Sequence, residues 1–405
     1  MRLLRFSTLL ILLCFSLMGQ AQDSIAFKAD NGIRISLLTC GPGLDLYSGF
    51  GHSGVRIIDS TVPYDAVYNY GTFDFGDPNF YSKFTRGKLL YYVNKESFRN
   101  FIYTYQVETR SVYEQVLDLT PTEENQILNY LDSNAQEENK YYKYDFLYDN
   151  CSTRQLEIFK NLFGASFKVG KAIEPKSQTF RNFTNDYLKN NHWTRLGINL
   201  LLSTPVDKRM SNEEAMFLPD YLMKGFRDAT LNGSPIVSQT VEILPEKLDF
   251  SPRPNNAKLF MWLFGLLVFL LWLKARDKMI YFDTFFFLIL GILGIFMLFM
   301  WFGTDHQSCS WNRNLFWALP THLAFAFLIP RKHKWVQPYA RIAFYVLLIA
   351  LVWNLWAAQT YIEEITPIII LLLWRLNYYR RDPEKNKMYA NLRSIFSQFQ
   401  AARNR

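Results

Sequence analysis

The feature that most restricts this chain is a series of long apolar runs confined to its last third. Residues 259–273, 285–303, 315–329 and 342–358 each approach membrane-spanning length, and 365–374 is a shorter fifth run. Lipid offers the backbone no hydrogen-bond partner, so these runs are expected as helices. Lys274, Arg276 and Lys278 follow the first run, Arg331, Lys332 and Lys334 the third, and Arg375, Arg380 and Arg381 the fifth. All three basic clusters are cytosolic if the chain enters from outside, which predicts about five spans over residues 257–378 and a basic cytosolic tail over 379–405. The formal net charge is +8, but residues 257–405 hold 17 Lys and Arg against 7 Asp and Glu, whereas the preceding residues hold 27 against 29. The basic excess therefore marks membrane flanks and not a nucleic-acid surface. A purely soluble cytosolic enzyme is excluded.

The other end agrees with export. Arg2 and Arg5 precede an apolar stretch that closes on Gly19-Gln20-Ala21, so residues 1–21 read as a cleaved secretory signal. Cys14 is a poor lipidation site because Leu12 and Leu13 before it are bulky. Residues 22–256 are then an exported domain, ending in the turn-forming linker Ser251-Pro252-Arg253-Pro254-Asn255-Asn256. Strands are expected over 33–39, 52–59, 66–70 and 88–93, where β-branched and aromatic residues lie between Gly-containing turns. Thr120-Pro121-Thr122-Glu123 is a capping box opening a helix to about Leu131, and a second helix is expected from Cys151, with Leu156, Phe159, Leu162 and Phe163 on one face.

Few residues can carry chemistry. Of five histidines, His322 and His333 fall in or below the membrane, leaving His52, His192 and His306; once the signal is removed, Cys40, Cys151 and Cys309 remain. Cys151 follows Asp149-Asn150 at a helix start, where unpaired backbone amides lower a thiol pKa and can cradle an oxyanion. A buried cysteine acting as a small hydrophobe fits the same position. In Gly51-His52-Ser53-Gly54 the flanking glycines clear space around an imidazole at a strand start, although a structural histidine would fit there too. If the strand turns over near 60–63 and returns, His52 lies opposite Tyr70 or Gly71, with Asn69 a diagonal neighbour able to orient the ring. Asn150 and Ser152 are candidates for oxyanion stabilisation or support. No metal-ligand spacing and no phosphate-binding Gly loop occurs, so neither metal nor cofactor is expected.

A His on a strand well before an Asn-Cys at a helix start resembles the permuted papain-like thiol enzymes, including NlpC-type hydrolases and lecithin:retinol-acyltransferase-like proteins. More closely, Leu38-Thr39-Cys40-Gly41-Pro42-Gly43, Phe50-Gly51-His52-Ser53, Asn69-Tyr70-Gly71-Thr72-Phe73-Asp74 and Asn150-Cys151-Ser152-Thr153-Arg154 are similar to the Lnb-type family, over almost the whole mature chain. The resemblance implies an α+β permuted papain-like (NlpC-like) domain in the periplasm, followed by an α-helical domain in the bacterial inner membrane. It also implies lipoprotein N-acylation with Cys151 and His52 as the thiol pair, a phospholipid acyl donor and a diacylated lipoprotein acceptor. Asn69 as third member rests on the hairpin argument and not on the family. The polar loop over 304–314, with Asp305, His306 and Arg313, reads as a lid or headgroup contact at the membrane rim, or as an ordinary interfacial loop. Two other functions fit the same residues: a membrane-tethered peptidase or amidase acting on cell-wall peptides, and a non-catalytic envelope scaffold.

Overall fold

The computed structural model describes residues 32–174, 178–357, 359 and 361–381. The expected signal over 1–21 and most of the expected cytosolic tail lie outside the described residues.

The N-terminal part is built on a seven-stranded sheet. Its strands are β1 (Ile33–Cys40), β2 (His52–Asp59), β3 (Tyr64–Thr72), β4 (Leu90–Ser97), β5 (Val112–Leu117), β6 (Tyr141–Lys143) and β10 (Val237–Leu244), in the order β10-β5-β1-β2-β3-β4-β6, with every pair antiparallel. Three two-residue strands, β7 (Phe167–Lys168), β8 (Thr230–Leu231) and β9 (Ser234–Pro235), form a separate small sheet. At β1 both faces of the sheet are covered, so every residue from Ile35 to Cys40 is buried, the polar Ser36 and Thr39 included. Ile35 and Leu37 join one core with Leu156, Ile158 and Phe159, while Leu38 and Cys40 join another with Phe101, Ile102 and Tyr105.

The helices of this part are α1 (Phe80–Thr85), α2 (Phe98–Val107), α3 (Pro121–Asn134), α4 (Cys151–Phe163), α5 (Phe180–Tyr187), α6 (His192–Leu201) and α7 (Pro219–Arg227); α2, α3, α4 and α7 pack on the large sheet, and α6 lies against the C-terminal part. Thr120 closes the expected capping box on α3, its hydroxyl accepting from the Glu123 amide while the Glu123 carboxylate accepts from the Thr120 amide. The strand expected over 52–59 and the helix start expected at Cys151 agree with β2 and α4; α1, α2, α5, α6, α7 and β5 to β10 have no counterpart among the expected elements.

The C-terminal part is helical: α8 (Asn256–Lys274), α9 (Met279–Phe302), α10 (His322–Leu328), α11 (Val336–Trp353) and α12 (Thr366–Tyr379). Three helices are long and apolar enough to cross a membrane, Asn256–Lys274, Arg276–Phe302 and Val336–Trp353. The third and fifth expected spans take shorter forms. Pro320 separates a 3-10 turn at Arg313–Phe316 from the 7 residues of α10, and α12 has 14 residues. The broken segment packs closely on α9, where a Cβ added at Gly294 would collide with the Ala318 carbonyl and one at Gly291 with the Leu323 amide. At the far end of α9, Asp283 accepts from Arg375 Nε and Nη2, both at 2.6 Å, and from the Tyr379 hydroxyl at 2.6 Å, clamping α12 to α9.

The two parts are joined by a polar seam and not by the linker alone. The Ser203 amide donates to Ser308 O at 2.9 Å, Asn312 Nδ2 donates to Leu200 O at 2.7 Å, Arg195 pairs with Glu364, and Trp193 packs edge-on against Phe260.

Candidate active site

The β2–β3 hairpin and the start of α4 build the site. Register runs from Asp59↔Tyr64 to Val55↔Tyr68, and its continuation brings His52 level with Gly71 and leaves Asn69 as the diagonal neighbour. The contact is made: Nε2 of His52 donates to Oδ1 of Asn69 at 2.6 Å. Asn69 Nδ2 donates to Glu96 Oε1 at 3.0 Å, which fixes the amide so that its oxygen faces the imidazole. The imidazole Nδ1 is then left to serve the thiol.

Gly51 and Gly71 both require their identity. Gly51 has φ +79 and a Cβ there would sit 2.8 Å from the Cys40 carbonyl. Gly71 has φ +89, and a Cβ there would stand 3.7 Å from Cys151 Cβ, 3.8 Å from His52 Cε1 and 3.5 Å from Tyr144 Cε2. The floor between thiol and imidazole is therefore bare backbone.

Cys151 is the first residue of α4, capped by Asn150, whose Oδ1 accepts from the Ser152 amide at 2.8 Å and the Thr153 amide at 3.0 Å. Burial pushes the Cys151 thiol up, but the charge of His52 and hydrogen bonds from His52 and Ser53 outweigh it, leaving the pKa lowered to about 7. For His52, burial pushes the imidazole down, while the Cys151 charge and the bonds to Cys151 and Asn69 carry it above its ordinary value. The pair thus favours thiolate and imidazolium. The other described thiols differ: burial raises Cys40 to about 12 and Cys309 to about 11. All three are free.

The structure brings together His52, Asn69 and Cys151. Asn150 does not point into this group as a donor, because both hydrogens of its amide are spent, on Phe146 O at 2.7 Å and Phe217 O at 2.8 Å. It supports the site as a helix cap and a staple. The Ser152 hydroxyl lies 3.1 Å from that of Ser53 and 3.9 Å from Cys151 Sγ. Asp305 and His306, expected to meet substrate at the membrane rim, both contact the N-terminal domain. Asp305 pairs with Lys143 at 2.9 Å, and His306 Nε2 donates to Phe84 O at 3.2 Å. Arg313 lies over the Trp353 ring at 4.3 Å and keeps one buried guanidinium nitrogen without a hydrogen bond. His192 is buried as the first residue of α6.

Three contributors escaped the sequence reading. Ser53 hydrogen-bonds toward the Cys151 thiol, a role that its place beside His52 does not announce. Glu96 is two positions from Asn94, the β4 partner of Asn69, and only the β3–β4 register reveals it. Arg110, 4% exposed, donates through Nε to Gly41 O at 2.8 Å and pairs with Glu108 at 2.8 Å, bracing the loop that leads to His52.

Residues 26–185 match the family model for the Lnb N-terminal periplasmic domain, and residues 246–386 match that for the Lnb transmembrane domain. No match was found among curated proteins or among solved structures. The two matched regions together cover most of the sequence and stand in the order of the N-terminal and helical parts described above, and the chain therefore belongs to the Lnb family, as a membrane protein with an N-terminal periplasmic domain.

Proposed function

We propose that this protein is a lipoprotein N-acyltransferase of the bacterial inner membrane that moves an acyl chain from a phospholipid to the α-amino group of a diacylglyceryl-cysteine. The observation that carries the reading is the buried Cys151 at a helix N-terminus, its pKa lowered to about 7 beside an imidazole held by Asn69. The arrangement, a His on a strand ahead of a Cys at a helix start across the sheet, agrees with a permuted papain-like thiol enzyme.

The Cys151 thiolate attacks the ester carbonyl, the carbonyl–glycerol C–O bond breaks, and the His52 imidazolium protonates the departing lysolipid oxygen. The acyl group then rests as a thioester, more reactive toward nitrogen than the ester it came from. The lipoprotein amine attacks it, the C–S bond breaks, and the amine proton passes to neutral His52, restoring the thiolate–imidazolium pair. The Cys151 amide, at the first position of α4, is the oxyanion donor; one such donor is typically worth ~3 kcal/mol. Both substrates are membrane-anchored, which gives a reason for fixing the thiol domain to helices by a polar seam. The contacts also suit five passes, since α12 starts beside the α8 N-terminus through Glu364 and Asn255 and ends beside Asp283, near the α9 start. That topology leaves all three basic clusters cytosolic.

Mass spectrometry of a lipoprotein N-terminus from cells with and without the protein tests the reading. The expected result is triacyl mass with it and diacyl mass without it. Unchanged triacyl mass, with altered cell-wall peptides, would assign the site to a peptidase or amidase instead.

A further inference from the structure

An aromatic row leads away from the thiol. Tyr144, which faces the Gly71 floor beside Cys151, stacks on Tyr91 with centroids 4.4 Å apart; Tyr91 meets Phe73 at 5.2 Å. Phe73 touches Phe75 at 4.8 Å and Phe80 at 5.8 Å, and Phe80 touches Tyr81 at 5.3 Å and Phe84 at 6.1 Å. The inner rings are covered, but the far end is bare: Phe75 is 66% exposed, Tyr81 80% and Phe84 49%. Three large aromatics presented together on a soluble face are costly unless something apolar covers them.

What covers them follows from where α1 is held. The Asp305 amide donates to Arg86 O at 2.9 Å, and His306 donates to Phe84 O. His306 is four residues beyond Phe302, the end of the 24-residue apolar helix α9, and four residues reach at most about 14 Å. That helix end carries an aromatic belt, with Trp301 packed on Phe302 at 4.6 Å and on Trp311 at 5.0 Å, as helices do at the membrane surface. The α1 segment also carries cations: Lys83 is paired with Asp77 at 2.7 Å, and Arg86 and Lys88 are exposed beside its aromatics. Apolar rings with flanking cations are the chemistry of an interfacial helix on phospholipid.

We propose that α1 and Phe75 seat in the outer leaflet of the bilayer, and that the aromatic row from there to Tyr144 is the path along which a phospholipid acyl ester reaches Cys151. The second half rests on the acyl-transfer reading above; the seating does not.

Spin labels read the seating. Tyr81→Cys, Phe75→Cys and, as a control on α2, Tyr103→Cys are labelled in the full chain carrying Cys151→Ser and placed in phosphatidylethanolamine–phosphatidylglycerol vesicles. Labels at 81 and 75 should be relaxed more by oxygen than by an aqueous nickel chelate, and the label at 103 the reverse. Equal aqueous access at 81 and 103 would overturn the proposal and leave the face to a protein partner. For the path, Phe75→Asp/Tyr81→Asp should slow acyl transfer from vesicle phospholipid at least tenfold while leaving alkylation of Cys151 by iodoacetamide unchanged. Undiminished transfer would remove the path. If the wild-type chain transfers no acyl group while the labels report lipid, the acyl-transfer reading fails and the seating stands.

Discussion

Oδ1 of Asn69 accepts a 2.6 Å hydrogen bond from Nε2 of His52, and the same amide donates to Glu96 at 3.0 Å, so the imidazole is held by a chain of side chains on three adjacent strands. Because the amide oxygen can only accept, it selects the tautomer with hydrogen on Nε2 and aims Nδ1 at the thiol. Asn69→Ala should lower acyl transfer about a hundred-fold, the loss typical of a misplaced catalytic group, with little change in thermal stability. Glu96→Gln presents either an oxygen or an NH2 to the Asn69 amide and should cost less than Asn69→Ala. Initial rates on a diacyl lipopeptide measure both, and a fully active Asn69→Ala would remove the residue from the site.

The lowered thiol predicts a pH dependence with a definite sign. Alkylation of Cys151 should rise with pH about a midpoint near 7, not near the ordinary 9, since the thiolate is the reacting form. In His52→Ala the burial remains while the opposing charge and hydrogen bond are lost, so the midpoint should move upward. Acyl transfer itself should fall on the acid side as the thiolate is protonated, and on the alkaline side, above the ordinary histidine range, as His52 loses the proton the leaving group needs. Iodoacetamide kinetics followed by intact mass would show this, and a midpoint near 9 in the wild type would contradict the pairing.

How far the sequence foretold this depended on distance along the chain. The β2–β3 hairpin was legible because its turn lies at 60–63, and a four-residue connection pins the register that puts Asn69 diagonal to His52. Cys151 at a helix start was legible because Asn150 carries local capping chemistry. Glu96 was not, because its place depends on a β3–β4 register with a bulge between Asn69 and Thr72. The fate of the Asn150 amide was equally hidden, since Phe217 is 67 residues away. Residues 315–329 are apolar enough for a span, but hydropathy says nothing about Pro320 interrupting the helix where Gly291 and Gly294 let the backbone approach α9.

The Gly71 floor gives a second mutational test. An alanine methyl would make ordinary contacts with Cys151 and His52, but φ +89 disfavours any side chain there and the methyl would occupy the gap between thiol and imidazole. Gly71→Ala should therefore cut turnover by tenfold or more, a loss of about 1.4 kcal/mol or more in barrier terms. Cys151 alkylation by a small reagent should be less affected than transfer of a full acyl chain, and equal effects on both would argue against a steric role.

Asp283 and Arg375 are 0% and 1% exposed and sit on α9 and α12, so their mutual pairing, with the Tyr379 hydroxyl donating to the same carboxylate, is what makes both charges tolerable there. Asp283→Asn leaves a buried guanidinium uncompensated and should destabilise the helical part by about 3–5 kcal/mol, whereas Asp283→Leu/Arg375→Met, which removes both charges, should recover most of that loss. Thermal unfolding of the detergent-solubilised full chain would resolve the two cases. If the double variant is as unstable as Asp283→Asn, an unpaired charge is not the cause.

The last prediction concerns the order of events at Cys151. If the thiol carries the acyl group, incubation with phospholipid alone should leave an adduct one acyl chain heavier and sensitive to hydroxylamine, and a diacyl lipopeptide with a free amino terminus should then discharge it. Cys151→Ala should form no adduct, and Cys151→Ser should transfer nothing, because a hydroxyl is too weakly acidic for the same imidazole to activate. A soluble peptide amine lacking the diacylglyceryl group should discharge the thioester poorly, since it has no membrane anchor to concentrate and align it. His52→Ala should slow formation and discharge alike, because one imidazole supplies the proton to the lysolipid and accepts the proton from the amine. Discharge by water as fast as by lipopeptide would describe a lipase and not a transferase, and transfer with no enzyme-bound acyl species would require both substrates to meet directly above the Gly71 floor.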